Sequence, residues 1–321
     1  MKLVVGFITY NESSAKYLDY FLPSLQKALA FLNSAEVAIL AFDNSSPEYN
    51  QNRLAIELFN YRQGGQVEYF SQGENLGFSR AYNYLIDQAV QKKADYFLVI
   101  NPDVVIEDGA IELLVFALDR NKKLGSVAPK ILRWDFTGNK TTKQIDSCGI
   151  IVRPGLKFVD LGQGEIDSGQ HDQASILGPS GAAGLYRVSA LKRIKDDFGY
   201  FDRRFFMYKE DCDLAYRLRL TGFSAQLVAG AQIFHDRTAG FYGHGFLAFL
   251  RNRRRLSRQV RTWSFSNQLL IFMKHYRKEN LWSRFLVIKN VSFMFFFSLI
   301  LEQFNLKNAV RLGRTFKYWL I

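Results

Sequence analysis

The chain is short of cysteine: two in 321 residues, Cys148 and Cys212, cannot build a disulfide framework, and neither stands at zinc-site spacing. Such usage suits a reducing compartment. Prolines number only six, which excludes a Pro-rich linker, and no internal repeat or low-complexity stretch interrupts the sequence. A secretory pattern is also missing. Met1-Lys2-Leu3-Val4-Val5-Gly6-Phe7 reads as an opening strand, without a basic lead, an apolar stretch and a small-residue cleavage site, so cytosolic residence is expected. Long apolar runs are lacking too. The most apolar, Val291 to Leu301, has 11 residues, whereas a spanning helix needs about 20. What is present in quantity is core material: 48% of residues are hydrophobic, ample for a large packed domain with or without an appendage.

Charge is unevenly placed. Of 42 Lys and Arg, 15 lie between residue 246 and the end, against only two acids there, Glu279 and Glu302. That section carries +13 and the rest of the chain −1. A nearly neutral body thus bears a strongly basic tail, which calls for a polyanionic partner or surface. In the tail, Arg251, Arg253, Arg254, Arg255, Arg258 and Arg261 are interleaved with Trp263, Phe265, Trp282, Phe285 and Trp319. Residues 281–301 approach spanning length only by accepting Arg284, Lys289 and Asn290, so an in-plane amphipathic helix pair on an anionic membrane is expected. Cations with aromatics also suit single-stranded nucleic acid, but the bases avoid the body, and the long aliphatic-aromatic runs favour membrane.

Residues 3–9, 36–42, 66–70 and 95–100 read as strands, and 16–32, 51–61 and 78–91 carry apolar residues at helical spacing. Alternation of this kind implies βαβ units and a mostly parallel, Rossmann-like sheet. Ligands of such sheets bind beyond the carboxyl ends of strands. Four polar clusters fall there: Thr9-Tyr10-Asn11-Glu12, Asp43-Asn44-Ser45-Ser46, Asn75-Leu76-Gly77 and Asn101-Pro102-Asp103. Residues 129–178 lose the rhythm and read as a hairpin excursion over the sheet. A helix is expected over 209–221, ended by Gly222, followed by two short strands at 225–229 and 231–235. The domain reading is a catalytic domain over 1–245 and a C-terminal helical, basic and aromatic extension over 246–321.

Several residues carry chemistry or a structural alternative to it. Asp103 follows a strand and could hold a cation, or simply turn the chain into the helix beyond Asp108. Asp43 could accept the imide N–H of a uracil or thymine ring, or form an Asx-turn. Glu210, Asp211 and Asp213 open a helix, where the dipole favours acids. Aromatic residues directly precede them, a costly setting for carboxylates unless one acts as a general base. His235 ends a strand and could be a ligand or a satisfied structural imidazole.

Taken in order, the set Thr9-Tyr10-Asn11, Asp43-Asn44-Ser45, Asn75-Leu76-Gly77-Phe78 with Asn83, Asn101-Pro102-Asp103, Gly181-Ala182, Glu210-Asp211-Cys212-Asp213 with Arg217, and His235 resembles the family 2 inverting glycosyltransferases of the GT-A fold, especially their rhamnosyltransferase-like branch. The resemblance spans about residues 1–240. It implies that Asp43 binds the nucleobase, with Thr9, Tyr10, Asn11, Glu12, Asn75, Gly77, Asn83 and Asn101 around the nucleotide sugar. Asp103 corresponds to the last acid of the family's D-x-D element, whose first acid is replaced here by Asn101. It also implies that His235 joins Asp103 on Mg²⁺ or Mn²⁺, that Asp211 is the catalytic base, and that Glu210 and Arg217 touch the acceptor. No Gln-x-x-Arg-Trp element follows Asp213, which points to single addition rather than polymer synthesis. The implied enzyme moves a sugar, rhamnose from dTDP-rhamnose, to a hydroxyl of a glycan or lipid-linked glycan in cell-surface polysaccharide synthesis, peripheral on the cytoplasmic face of the membrane. A UDP-hexose or UDP-N-acetylhexosamine transferase of the same fold, and a non-catalytic membrane or nucleic-acid-binding protein, are the alternatives.

Overall fold

The computed structural model of the protein describes residues 1–33, 35–64, 66–237 and 246–309. The chain runs β1 (Lys2–Thr9), α1 (Asn11–Leu29), β2 (Glu36–Asp43), α2 (Gln51–Gln63), β3 (Val67–Ser71), α3 (Gly77–Gln91), β4 (Tyr96–Ile100), β5 (Val104–Ile106) and α4 (Ala110–Arg120). It continues through β6 (Leu124–Asp135), β7 (Lys140–Ser147), β8 (Ile150–Arg153), β9 (Lys157–Asp160), β10 (Ser175–Ile176), β11 (Ala183–Arg187), α5 (Val188–Ile194), α6 (Glu210–Leu220) and β12 (Ser224–His235). Three helices complete it: α7 (Phe246–Arg255), α8 (Arg258–His275) and α9 (Leu281–Leu301).

The main sheet has the order β10-β12-β6-β11-β4-β1-β2-β3, with β5 added to β12 and β7 to β6. Strands β4, β1, β2 and β3 are mutually parallel, as expected of the βαβ alternation. Strand β11 is antiparallel to both β4 and β6. Side chains alternate across the sheet: Leu3, Val5 and Phe7 of β1 pack with α1, α2 and α4, while Val4 joins Phe97 and Val99 against α3, α5 and α6. At Gly6 a Cβ would lie 2.5 Å from the Phe97 ring, so only glycine lets that ring cross the strand.

Two expectations are corrected. Residues 129–135 and 140–147, in the segment 129–178 expected as an excursion, belong to the sheet instead: β6 lies inside it between β12 and β11, and β7 pairs with β6. The loss of rhythm marks a mixed part of the sheet, where β6 runs parallel to β12 but antiparallel to β11 and β7. Residues 224–235 are one strand, not two. β12 pairs with β6 along its length, with a register shift between Val228 and Gln232 that reads in sequence as a break.

The chain packs as two compact units. One holds the sheet: residues 1–151, 160–206 and 210–238. The other joins 152–159 and 207–209 to the described C-terminal helices. In this smaller unit, helix α8 is capped by Ser257, which accepts from Val260 N, and α9 by Asn280, which accepts from Ser283 N at 2.8 Å. The tip of the β8–β9 hairpin is pinned there by Gly155 N, which donates to Ser283 Oγ at 2.8 Å. Buried Asn267 of α8 donates to the carbonyls of Met207 and Tyr208, both at 2.7 Å. Those bonds hold Tyr208 and Lys209 in left-handed conformations, φ 73° and 71°, which non-glycine residues rarely adopt. Helix α9 is continuous over 21 residues and, by length and composition, is long and apolar enough to cross a membrane. Trp282, Phe285, Ile288, Phe296 and Leu299 are exposed along it.

Candidate active site

The site grows from the carboxyl ends of the parallel strands. Thr9 and Asp43 are register partners at the ends of β1 and β2, and Thr9 Oγ1 donates to Asp43 Oδ1 at 2.9 Å. The same oxygen accepts from Ser45 Oγ at 2.6 Å and Asn52 Nδ2 at 3.2 Å, while Tyr69 OH donates to Oδ2 at 2.7 Å. Asp43 is thus buried at the floor of this corner, organising Thr9, Ser45 and Asn52, and its Oδ2 is the oxygen with a lone pair to spare. Asn11 opens α1 with φ 43°, its N–H donates to Ser45 Oγ at 2.8 Å, and its buried Oδ1 has no hydrogen-bond partner. Tyr10 and Glu12 are exposed beside it. Asn44 ties the corner to the next loop: its Oδ1 accepts from Leu76 N at 3.1 Å and its Nδ2 donates to Gly77 O at 3.3 Å. Gly77 has φ 74°, and a Cβ there would meet Phe206 O at 2.5 Å. This close approach explains the glycine, because Phe78 N donates to that same carbonyl at 2.8 Å. Exposed Asn75 turns the loop through its own bond from Gly77 N at 2.9 Å.

Asp103 and His235 meet because β5 pairs antiparallel with the end of β12, Val104 opposite His235. Asp103 Oδ2 lies 3.2 Å from His235 Nε2. On the other side of the ring, Nδ1 is 2.8 Å from Asp146 Oδ2. Asp146 also meets Arg237 and Arg133, at 3.3 and 3.4 Å. Burial by itself would lower the pKa of this imidazole, but the carboxylates of Asp103 and then Asp146 push it up to about 10. Burial would raise Asp146, yet its bond to His235 and the two guanidinium groups hold it below the usual carboxylate range.

Asp211 stands at the start of α6, where its Oδ2 accepts from Gly181 N at 2.9 Å and its Oδ1 from Cys212 N at 2.7 Å. Asn101 N donates to Ala182 O at 2.9 Å. The Gly181-Ala182 turn therefore touches both the strand end that carries Asp103 and the helix start that carries Asp211. Asp160 links the same region. Burial raises its pKa, Arg237 at 3.3 Å opposes that, and the nearby Asp211 carboxylate reinforces it. Glu210 and Asp103 both act electrostatically on the buried Tyr82 hydroxyl, whose pKa burial raises first. Asp103 and Asp146 thus share the imidazole of His235, and Asp146 and Asp160 share the guanidinium of Arg237. Sequence reasoning missed Asp146, Asp160, Arg133 and Arg237, since they lie on strands read as an excursion or beyond the last expected motif.

Asn83 and Arg217 are engaged elsewhere. Asn83 donates to Phe201 O and accepts from Phe201 N, at 2.7 and 2.8 Å, clamping the segment ahead of α6. Arg217 pairs with the fully buried Asp213 at 2.7 Å and donates to the carbonyls of Ile194 and Tyr200. Its guanidinium closes the base of α6 and is consumed there.

Among the described residues, no three His, Cys, Asp or Glu side chains gather as a metal-ligating group. Asp103 and His235 nevertheless fit a cation completed by substrate, since Mg²⁺-type sites use one or two carboxylates plus phosphate oxygens. Asp103 Oδ1 is buried without a hydrogen-bond partner, an unmet acceptor beside the imidazole. The Asp146 carboxylate behind His235 is the kind of outer partner that would orient the ring if it ligated a cation.

The model of glycosyl transferase family 2 matches residues 4–194, more than half of the chain. The chain belongs to that family. This glycosyltransferase is 28% identical over 255 residues to the N-acetylglucosaminyl-diphospho-decaprenol L-rhamnosyltransferase of Mycobacterium tuberculosis, 73% of this chain and 76% of that protein. Its fold is similar to a mannosyltransferase from Pyrobaculum calidifontis in complex with GDP-Man and Mn²⁺, with TM-score 0.56, 12% identity, and coverage of 99% and 82% of the two chains. It is also similar to S. aureus TarS in complex with UDP-GlcNAc, with TM-score 0.52, 17% identity, and coverage of 89% and 69%. The GT-A fold expected from the ordered motifs stands, and with it the reading of an inverting glycosyltransferase.

The Arg217 contacts separate a structural role from acceptor contact. Arg217→Met is expected to destabilise the protein by about 3–5 kcal/mol, because it strands the buried Asp213 carboxylate. Denaturant unfolding measures this, and unchanged stability with a raised acceptor KM would return Arg217 to the acceptor.

Proposed function

We propose that the protein transfers rhamnose from dTDP-rhamnose, with inversion, to a hydroxyl of a lipid-linked glycan. The observation that carries this reading is that Asp211, held by two backbone N–H groups, is joined through the Gly181-Ala182 turn to Asn101, at the strand end that carries Asp103 and its partner His235. The likeness to a rhamnosyltransferase acting on a diphospho-decaprenol sugar supports the sugar and the acceptor class. Gly181 N and Cys212 N keep the Asp211 carboxylate in one orientation, so that it takes the proton of the attacking acceptor hydroxyl. Asp43 Oδ2 accepts the imide N–H of the nucleobase beside Tyr69, and Asn11 Oδ1 meets a donor group of the nucleotide sugar. Asp103 and His235 hold Mg²⁺ or Mn²⁺ when it is bound, supplying positive charge to the departing diphosphate. Glu210, buried beside the base, lies towards the acceptor. Because a uracil ring offers the same imide N–H, a UDP-hexose or UDP-N-acetylhexosamine is the competing donor.

We further propose that the smaller unit places the enzyme on the cytoplasmic membrane face. Exposed Trp282, Phe285 and Phe296 lie on a helix of spanning length, in a section whose charge is +13. Aromatics at the interface and cations at anionic headgroups suit that surface better than nucleic acid.

Asp211→Asn keeps the shape and removes the basicity, so kcat for transfer is expected to fall about 10²–10⁴-fold. Near-normal product formation from dTDP-rhamnose would remove Asp211 as the base, and product only from a UDP-sugar would replace the donor. Mn²⁺ should raise the Tm of the wild type in the presence of dTDP but not that of Asp103→Ala. Its affinity should increase with pH towards 10, because the proton held by His235 must leave before a cation can bind. A pH-independent shift of equal size in both proteins would rule out this cation site. With Trp282, Phe285 and Phe296 all changed to Ser, flotation with anionic liposomes should drop sharply. Equal flotation would rule out the membrane face.

A further inference from the structure

Within the smaller unit lies a cavity of about 340 Å³, at the lower end of the ~300–1,000 Å³ typical of ligand sites. Phe265 and Phe272 of α8 and Phe293 and Phe297 of α9 form its apolar walls. Lys157 of the β8–β9 hairpin and Lys209 bring positive charge, and among the described residues the lining contains no acidic side chain. Arg253 also lines it, but Glu302 already binds that guanidinium through both oxygens, at 2.8 and 2.6 Å. Lys209 lies 5.9 Å from the centre of the Phe158 ring, and among the described residues neither lysine forms an ion pair within the cavity, so the attraction for an anion comes from these two. Ser298 lines the cavity as well; it is 1% exposed, and its Oγ has no hydrogen-bond partner. A buried hydroxyl left unpaired costs free energy, which a polar ligand atom would recover.

The combination selects one ligand chemistry. An inorganic anion makes no use of four phenylalanines, and a neutral lipid makes no use of the lysines. Phe293, half of whose surface is exposed, joins the cavity wall to the apolar outer face of α9. A chain leaving the cavity thus passes onto apolar surface rather than into water. The volume is too small for a whole polyprenyl chain, so it takes only the part next to the head group. We propose that this cavity holds the phosphate-proximal isoprene units of the lipid that carries the acceptor sugar, with Lys157 and Lys209 facing its phosphates. This rests on the lipid-linked acceptor reading above. The backbone makes the link to catalysis: Lys209 is two residues from Asp211, so their Cα atoms are at most about 7.6 Å apart. A sugar held by a phosphate at Lys209 is on a short tether from the base.

Calorimetric titration of the full-length protein with farnesyl diphosphate tests this, with inorganic pyrophosphate and farnesol as comparators. Farnesyl diphosphate should bind at least about tenfold more tightly than either, and Lys157→Glu should weaken it by about tenfold or more through like-charge repulsion. Ser264→Phe, which fills the cavity, should abolish binding. If that variant does not fold, the exposed Lys157→Glu decides. Equal affinity for pyrophosphate or farnesol, or undiminished binding in Lys157→Glu, overturns the proposal. Titration of dTDP-rhamnose into the same samples keeps the two readings apart. Failure of the donor to bind the wild type counts against the enzyme reading, whereas donor binding with farnesyl diphosphate indifferent to the variants counts against the cavity alone.

Discussion

The imidazole of His235 sits between two carboxylates, Asp103 on one nitrogen and Asp146 on the other. The contact with Asp103 forms because two short segments from distant parts of the chain, β5 and the end of β12, pair antiparallel at the edge where the parallel strands stop. A buried cation flanked by two anions is stable only if the outer anion is itself neutralised, and Arg133 and Arg237 meet that need at Asp146. Among the described residues Asp103 has no such guanidinium partner, and one of its oxygens is buried without a hydrogen bond. Asp146 is therefore committed to the ring and the two guanidinium groups, whereas Asp103 keeps an unused acceptor.

A second constraint is the approach to α6. Its first turn carries Glu210 and Asp211, and the three residues before it belong to the other packing unit. Tyr208 and Lys209 persist in left-handed backbone because the Asn267 amide occupies the carbonyls of Met207 and Tyr208. On the body side, the approach is fixed by Phe206, whose carbonyl accepts from Phe78 N, and by Asn83 on Phe201. Arg217, four residues after Asp213 on the same helix, keeps the buried acid of that turn paired.

Much of the site was legible in the sequence because parallel strands alternating with helices place their carboxyl ends on one edge, and polar clusters there are read by position alone. Thr9, Asp43, Asn101 and Asp103 are in that class. Asn83 and Arg217 illustrate the limit. They belong to the right motifs, yet a side chain's partner depends on what lies across from it, and here that is the backbone of Phe201 and the carboxylate of Asp213. Asp146 and Asp160 were illegible for a different reason. They sit on strands that join antiparallel neighbours, where the helical spacer that announces a parallel strand is absent.

The order of strands and helices from β1 to β4 and the basic character of the C-terminal section follow from the sequence alone, since periodicity and charge are local properties of the chain. The insertion of β6 into the sheet, the pairing of Asp146 with His235 and the attachment of residues 152–159 and 207–209 to the helical unit were decided by tertiary structure. Each is a contact between segments tens of residues apart, and no local pattern encodes which of two distant segments will meet. Those long-range contacts fix which carboxylates stand beside His235.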